Sequence, residues 1–427
     1  MGIRNWNFNM KVRLIAEFFF GLFYWMYLPF MAIYFSEKLG KETAGLLLML
    51  SQAVGVIASL TGGYLADTYG RKRMMSISAI FQCFGMFLLV IANSPIVELP
   101  WLTFTGFSII SIAGMFYYPA SQAMIGDTVK AEKERNVIFA VFYTATNINV
   151  VLGPIIGGIL FFKARFLLFS ASFVIFMIVA LAITLLLKET LNKESIKYEK
   201  EGIARTIVKQ IKNYRVIMSD RVLFLFIIAG ILISQTFTQL DLLFAVYIKE
   251  SIPFQEVLKI GSWTLNTSGE KLFSWAIAEN GLIVALFTVL ITKIGNRLNE
   301  RKLFFISSIC YSFSMLMFGF TNLAYIILLA MIVFTIGEIL VVGIQNSFIS
   351  KIAPEDKRGQ YFAASSLRWS FGRTIAPLTI PLAGIVGYRW TFIFISILAL
   401  IGAFLYEVMF KVLDKKEVNN KTSLNAM

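Results

Sequence analysis

Residues 43–92 read TAGLLLMLSQAVGVIASLTGGYLADTYGRKRMMSISAIFQCFGMFLLVIA. Two apolar runs, 43–66 and 74–92, flank a short break that holds Asp67, Gly70, Arg71, Lys72 and Arg73. Crossing the hydrocarbon of a bilayer takes about 20 apolar residues in a helix. Inside hydrocarbon every backbone N–H and C=O needs an internal partner, which leaves helices or a closed barrel. The runs are too long and too uniformly apolar for tilted barrel strands. The stretch therefore predicts two membrane-spanning helices joined by a charged turn.

The same pattern recurs along the chain, at 12–35, 101–125, 137–161, 166–187, 222–248, 272–294, 303–321, 323–349, 360–384 and 390–412. With the first pair this makes twelve predicted spans and an all-α integral membrane protein. Composition agrees: 58% of the 427 residues are hydrophobic and only 15% are charged, where soluble domains carry roughly 25% charge. The first run is too long for a signal-peptide core and lacks a small-residue cleavage site, so it reads as a retained span. A net charge of +14 would suggest a nucleic-acid partner in a soluble protein. Here the basic residues lie between apolar runs, which excludes that reading. Cys83 and Cys310 lie inside apolar runs and read as packing residues, with no disulfide framework, metal site or cofactor motif.

Loop charge sets the expected orientation. With a cytoplasmic N-terminus, the loops and tails assigned to the cytoplasm hold most of the 39 Lys and Arg residues. Both termini are then expected on the cytoplasmic side of a multi-pass cell-membrane protein. The longest polar stretch separates residues 1–187, a first six-helix bundle, from residues 222–427, a second bundle with a cytoplasmic tail. Between them lies a central loop, 188–221, read either as a plain linker or as an amphipathic surface helix carrying Ile203, Ile207 and Ile211. The halves show faint repetition. Charged segments follow spans four and ten, and the same interval separates Arg135 from Pro154 and Arg358 from Pro377. Paired pseudo-symmetric halves are how many secondary transporters build alternating access around a central site.

Three signals carry chemistry. The first is Gly63-Tyr-Leu-Ala-Asp67-Thr-Tyr-Gly70-Arg71-Lys72-Arg73. Gly70 permits the positive φ of a tight turn, the basic residues hold the loop at the cytoplasmic face, and Asp67 can accept hydrogen bonds from a neighbouring helix terminus. This segment resembles the signature of the major facilitator superfamily between spans two and three. The resemblance implies the major facilitator fold and a latch of Gly63, Asp67, Gly70 and Arg71; Thr68 departs from the basic residue often found there. Asp127, at the inner end of span four, can pair with the same basic loop.

The second signal is Leu152-Gly153-Pro154-Ile-Ile-Gly157-Gly158 in span five, where glycines allow close helix approach and Pro bends the helix. It resembles the antiporter motif of drug–proton exporters in the superfamily, with Asn149 in place of a glycine often found four residues before the Gly-Pro.

The third signal is a set of intramembrane carboxylates, Glu338 in span ten and Asp241 in span seven. Charges inside a span are costly and point to function. The chain has no histidine, so a proton carrier must be Asp or Glu. Burial favours the neutral acid, which lets such a group exchange protons near neutral pH, and a cation would compete for the ionised form. Arg368 and Arg373 in span eleven read as counter-ions or as sites for anionic substrate groups. Glu17 and Glu407 read as snorkelling toward nearby cytoplasmic ends; Glu279 is open to either reading. Aromatic clusters at Phe116-Tyr117-Tyr118 and Phe142-Tyr143 read as packing or as a cation–π pocket.

More narrowly, the chain is similar to the LmrP-type multidrug/proton antiporters. The similarity rests on the span two–three motif, on Met124-Ile-Gly-Asp127 and on the neighbourhoods of Asp241 and Glu338. It implies that Asp67, Asp127, Asp241 and Glu338 take part in coupling, protonation or cation binding. A further acid of those exporters is Phe142 here, and Arg368 stands where they have a lysine. The expected function is proton-coupled efflux of amphiphilic or cationic drugs, with a small-molecule substrate and protons as partners, membrane lipid around it, and a monomer sufficing. Export of an endogenous metabolite, metallophore or lipid precursor is the alternative; Arg373 would favour an anionic or zwitterionic cargo. A receptor or scaffold without transport is a weaker reading. No nucleophile–base pair, HExxH or Walker motif supports an enzyme.

Overall fold

A computed structural model describes residues 6–129, 132–191, 219–260, 263–295, 299–342, 344–354 and 357–425. Ile203, Ile207 and Ile211 lie outside these residues. The chain divides into two units, Met1–Gly40 with Leu50–Val208, and Lys41–Met49 with Lys209–Met427.

The helices of the first part are α1 (Phe8–Tyr27), α2 (Met31–Leu39), α3 (Lys41–Tyr69), α4 (Arg71–Ala92), α5 (Pro100–Thr128), α6 (Glu132–Lys163) and α7 (Arg165–Leu186). A 3₁₀ turn at Leu28–Phe30, which holds Pro29, separates α1 from α2 inside one predicted span. Gly70 divides α3 from α4 at φ 109°, a conformation open to glycine because it has no Cβ. In this unit α4 packs along α5 and α7, and α1 along α6 and α7. Met75, Ala79, Met124, Ile125, Val179 and Ile183 fill part of the core.

The second part runs α8 (Arg221–Thr238), α9 (Leu243–Ser251), β1 (Gln255–Ile260), β2 (Trp263–Thr267), α10 (Gly269–Gly295), α11 (Glu300–Gly319), α12 (Ala324–Val342), α13 (Gln345–Ile352), α14 (Arg358–Ile375), α15 (Thr379–Val386) and α16 (Tyr388–Asn425). Here α11 packs along α12 and α16, and α8 along α14 and α16. Counted by span within each half, this repeats the pairing of the first unit: third with fourth and sixth, first with fifth and sixth. Phe226, Phe304, Phe348, Tyr406 and Phe410 stack into one aromatic core.

Eleven of the described helical stretches are long and apolar enough to cross a membrane. The twelfth predicted span, 360–384, is also helical, as α14, a 3₁₀ turn at Ala376–Leu378 and α15; its polar residues, Arg368 and Arg373 among them, keep it from standing out as apolar. Large side chains such as Phe81, Ile80 and Phe84 stay exposed on the outside of their helices. In water such a surface would aggregate; in lipid it is the required face. Two features lay outside the sequence reading. An antiparallel hairpin joins β1 to β2 between spans seven and eight, and α16 continues as helix past the predicted end of span twelve.

Candidate functional site

Arg71 organises a polar cluster at the turn between α3 and α4 in the first unit. Its guanidinium pairs with Asp67 at 2.7 Å and with Asp127 at 3.1 Å and donates to the Ala66 carbonyl at 2.7 Å. Asp67, Gly70, Arg71 and Asp127 are thus brought together. Asp67 was expected to receive helix-terminal N–H groups; the structure gives that place to Glu189. Its Oε1 accepts from the backbone N–H of Arg71 at 2.9 Å and of Lys72 at 3.4 Å, at the positive end of α4. Thr190 adds a hydroxyl to Asp127 at 3.1 Å. Thr68 turns inward onto its own helix, donating to the Tyr64 carbonyl. Gly63 has no atom within 4 Å of where a Cβ would stand, so it makes no close helix contact.

The Gly-Pro segment of α6 is a packing surface against α1. A Cβ on Gly153 would stand 2.5 Å from the Trp25 Cβ, and one on Gly157 would collide with the Met26 carbonyl. Pro154 lies within the helix and Gly158 is half-buried. Asn149 is buried, and its amide donates to the Phe18 carbonyl of α1 at 3.0 Å. The opposing residue is Gly21, where a Cβ would stand 2.5 Å from the Asn149 amide nitrogen. The glycine that Asn149 replaces has a counterpart across the interface, which makes room for the larger side chain.

A buried polar cluster sits beside it. Arg13 is fully buried and bonds to Glu17 at 3.0 Å and to Ser121. Glu17 also accepts from Tyr117 at 2.9 Å and from Ser121 at 3.1 Å. Glu17 therefore does not snorkel: it is tied to α5. Phe142 does meet a cation, but the cation is Arg13, 5.1 Å from the ring centroid. Glu407 pairs with Arg301 at a partly exposed position.

In the second unit Asp241 lies where a helix breaks, whereas Glu338 lies within the continuous helix α12. Span seven is interrupted by a 3₁₀ turn at Gln239–Asp241, and span eleven by the turn at Ala376–Leu378. Gln239 ties the two breaks together, donating to the Ala376 carbonyl at 3.3 Å and accepting from the Thr379 hydroxyl at 2.7 Å. Asp241 stands in the first break. Glu338, on α12, accepts from the Asn280 amide at 2.9 Å, and the same amide donates to Thr335 at 3.0 Å. Asp241 lies close enough to Glu338 for their charges to interact, and Arg373, exposed on α14, reaches Asp241 in the same way.

Arg368, expected as a counter-ion or pocket residue, has no paired carboxylate among the described residues. It is buried between the ring of Phe226, 4.7 Å from its guanidinium carbon, and the Tyr406 hydroxyl. Glu279, next to Asn280, has a buried oxygen without a partner among the described residues. Asn280 and Thr335 carried no signal in the sequence, because neutral polar residues are common in spans; their value comes from meeting Glu338.

A cluster of two carboxylates, an amide and a hydroxyl, one of the carboxylates at a helix break, offers hard oxygen ligands, which suit protons and small cations. Comparison with known proteins gives it context. The family model described as Major Facilitator Superfamily matches residues 13–377 and, in a second match, 262–425. A Planococcus maritimus protein described as a Na(+), Li(+), K(+)/H(+) antiporter is 46% identical over 424 residues, covering 98% of this chain and 100% of its own. The multi-drug resistance efflux pump PmrA homolog of Lactococcus lactis subsp. lactis (strain IL1403) is 23% identical over 412 residues, 93% of this chain and 94% of its own. A solved POT family transporter in complex with 5-aminolevulinic acid superposes with a TM-score of 0.76 at 18% identity, covering 95% of this chain and 97% of that one. At that identity the likeness speaks to fold alone.

Proposed function

The chain belongs to the major facilitator superfamily, as a membrane transporter and not an enzyme, and we propose that it exchanges protons for a monovalent metal cation at Asp241 and Glu338. The observation that carries this reading is the nearness of Asp241, at the break in span seven, to Glu338 on α12, with Asn280 bridging Glu338 and Thr335. The antiporter of Planococcus maritimus, 46% identical, supplies the cargo class.

The mechanism follows from competition. In lipid a bare carboxylate is costly, so each acid is stabilised either by a proton or by a cation. Uptake of protons from one side expels the cation, and release of protons to the other side admits the next. Arg373 supplies a neutralising charge to Asp241 when neither is bound. The cation here is cargo, which is why no resident metal cage is required. In this reading the basic loops keep both termini on the cytoplasmic side, and a single chain carries the whole site.

Efflux of amphiphilic cations is the second reading, favoured by the relatives described as multidrug efflux pumps. Everted vesicles acidified by respiration separate the two. Addition of Na⁺, Li⁺ or K⁺ should release protons in the wild type, and Glu338→Gln or Asp241→Asn should lower that release at least tenfold. Absence of a response to all three cations, with dye efflux intact, would favour the second reading.

A further inference from the structure

The hydrogen bonds around Glu338 fix more than its position. Thr335 and Glu338 are three apart on α12 and share one face. The Thr335 hydroxyl donates to the Met331 carbonyl at 2.7 Å, so its proton is spent and its oxygen can only accept. The neighbouring Asn280 side chain must therefore present its nitrogen, not its oxygen, to Thr335. Its two N–H groups are then both used, one on Thr335 at 3.0 Å and one on Glu338 at 2.9 Å. The Asn280 carbonyl oxygen makes no hydrogen bond among the described residues.

The backbone beneath is equally constrained. Gly337 lies against α11, where a Cβ would stand 2.9 Å from the Cys310 Cβ, and the Ser307 hydroxyl donates to the Gly337 carbonyl at 2.6 Å. This holds the Glu338 backbone in place opposite Asn280. A donor aimed at a carboxylate favours its charged form, and an amide oxygen beside it is a neutral ligand for a small cation.

We propose that Asn280 is the specificity-determining residue of the exchange site, holding Glu338 charged through its amide N–H and offering its side-chain oxygen to the cation. The proposal rests on the cation–proton reading above, and takes the substrate class to be partly dehydrated alkali ions. Thr335 acts through Asn280 by setting its orientation.

The test uses the full-length chain in everted vesicles, with Na⁺ and Li⁺ titrated at several pH values. Asn280→Leu, which keeps the branch at Cγ and removes both donor and acceptor, should raise the half-saturating Na⁺ concentration roughly 10–100-fold, as loss of a ligand or of its support does at metal sites. The maximal rate should stay within about twofold, a division that general misfolding does not produce. The pH below which exchange is suppressed should also move upward, because protons then compete better for Glu338. Thr335→Val, which frees Asn280 to turn over, should shift both quantities in the same direction by less. Unchanged half-saturation and pH profile in Asn280→Leu would overturn the proposal while leaving antiport standing. If Asn280→Leu fails to accumulate in the membrane, Thr335→Val decides by the same two readouts. Wild type inert to every alkali cation would remove the underlying reading instead.

Discussion

Arg13 is buried with Glu17 as its acid partner, and Glu17 is also the meeting point of Tyr117 and Ser121. Removing one member of such a pair strands the other charge. Glu17 is 24% exposed in its side chain, so the cost falls at or below the low end of the usual range, about 2–3 kcal/mol for Glu17→Gln. Thermal unfolding in detergent should show that loss, and Arg13→Met combined with Glu17→Gln should recover most of it. Additive losses would mean that the pair carries no coupling. Neither role was legible in the sequence: position near a helix end says where a charge lies along the membrane normal, not what stands across from it. The acids Asp241 and Glu338 were legible because an acid within a span is rare. Asn280, Thr335 and Glu189 were not, because ordinary polar and loop residues become specific only through tertiary neighbours. Arg368 was conspicuous as an intramembrane charge, but its neighbours Phe226 and Tyr406 were not legible, for the same reason.

At the scale of elements, glycines divide by what faces them. Gly157 lies against the Met26 carbonyl, whereas Gly63 faces open space. Gly157→Ala should push α6 away from α1 and lower stability by about 1–3 kcal/mol. Gly63→Ala should be neutral or slightly stabilising in the same unfolding measurement, since alanine favours helix. Equal losses at both positions would contradict the packing account. Helix α8 is started by Asp220, whose Oδ1 accepts from the N–H groups of Val222 and Leu223. Burial opposes its charge, but the Tyr361 hydroxyl, Lys416 and those N–H groups outweigh it and hold the carboxyl below the ordinary aspartate value. Its contribution is therefore present at neutral pH and is lost as pH falls through the carboxylate range. Asp220→Ala should cost about 1 kcal/mol at pH 7 and become indistinguishable from wild type in acid. Helix existence was legible throughout, since long apolar runs leave no other backbone solution in lipid. The breaks at Gln239–Asp241 and Ala376–Leu378 were not, as tertiary hydrogen bonds through Gln239 join them and no local pattern does. The hairpin of β1 and β2 carried no clear signal because its strands are short and mix polar with apolar residues without strict alternation.

At the scale of the whole molecule, each unit repeats one pairing of spans, which is the packing counterpart of the faint repetition in the sequence. The first unit carries the Arg71 cluster and the Arg13–Glu17 pair, while the second carries Asp241 at a helix break, Glu338 on α12 with Asn280 beside it, and Arg373 within charge-interaction range of Asp241. On this account the exchange chemistry belongs to the second unit, and Glu338 is its indispensable member. Purified protein in liposomes, loaded with a pH gradient and supplied with radioactive sodium, tests this most directly. The account predicts gradient-driven sodium accumulation by the wild type and at least a tenfold lower rate in Glu338→Gln. Equal accumulation by the two proteins would contradict it.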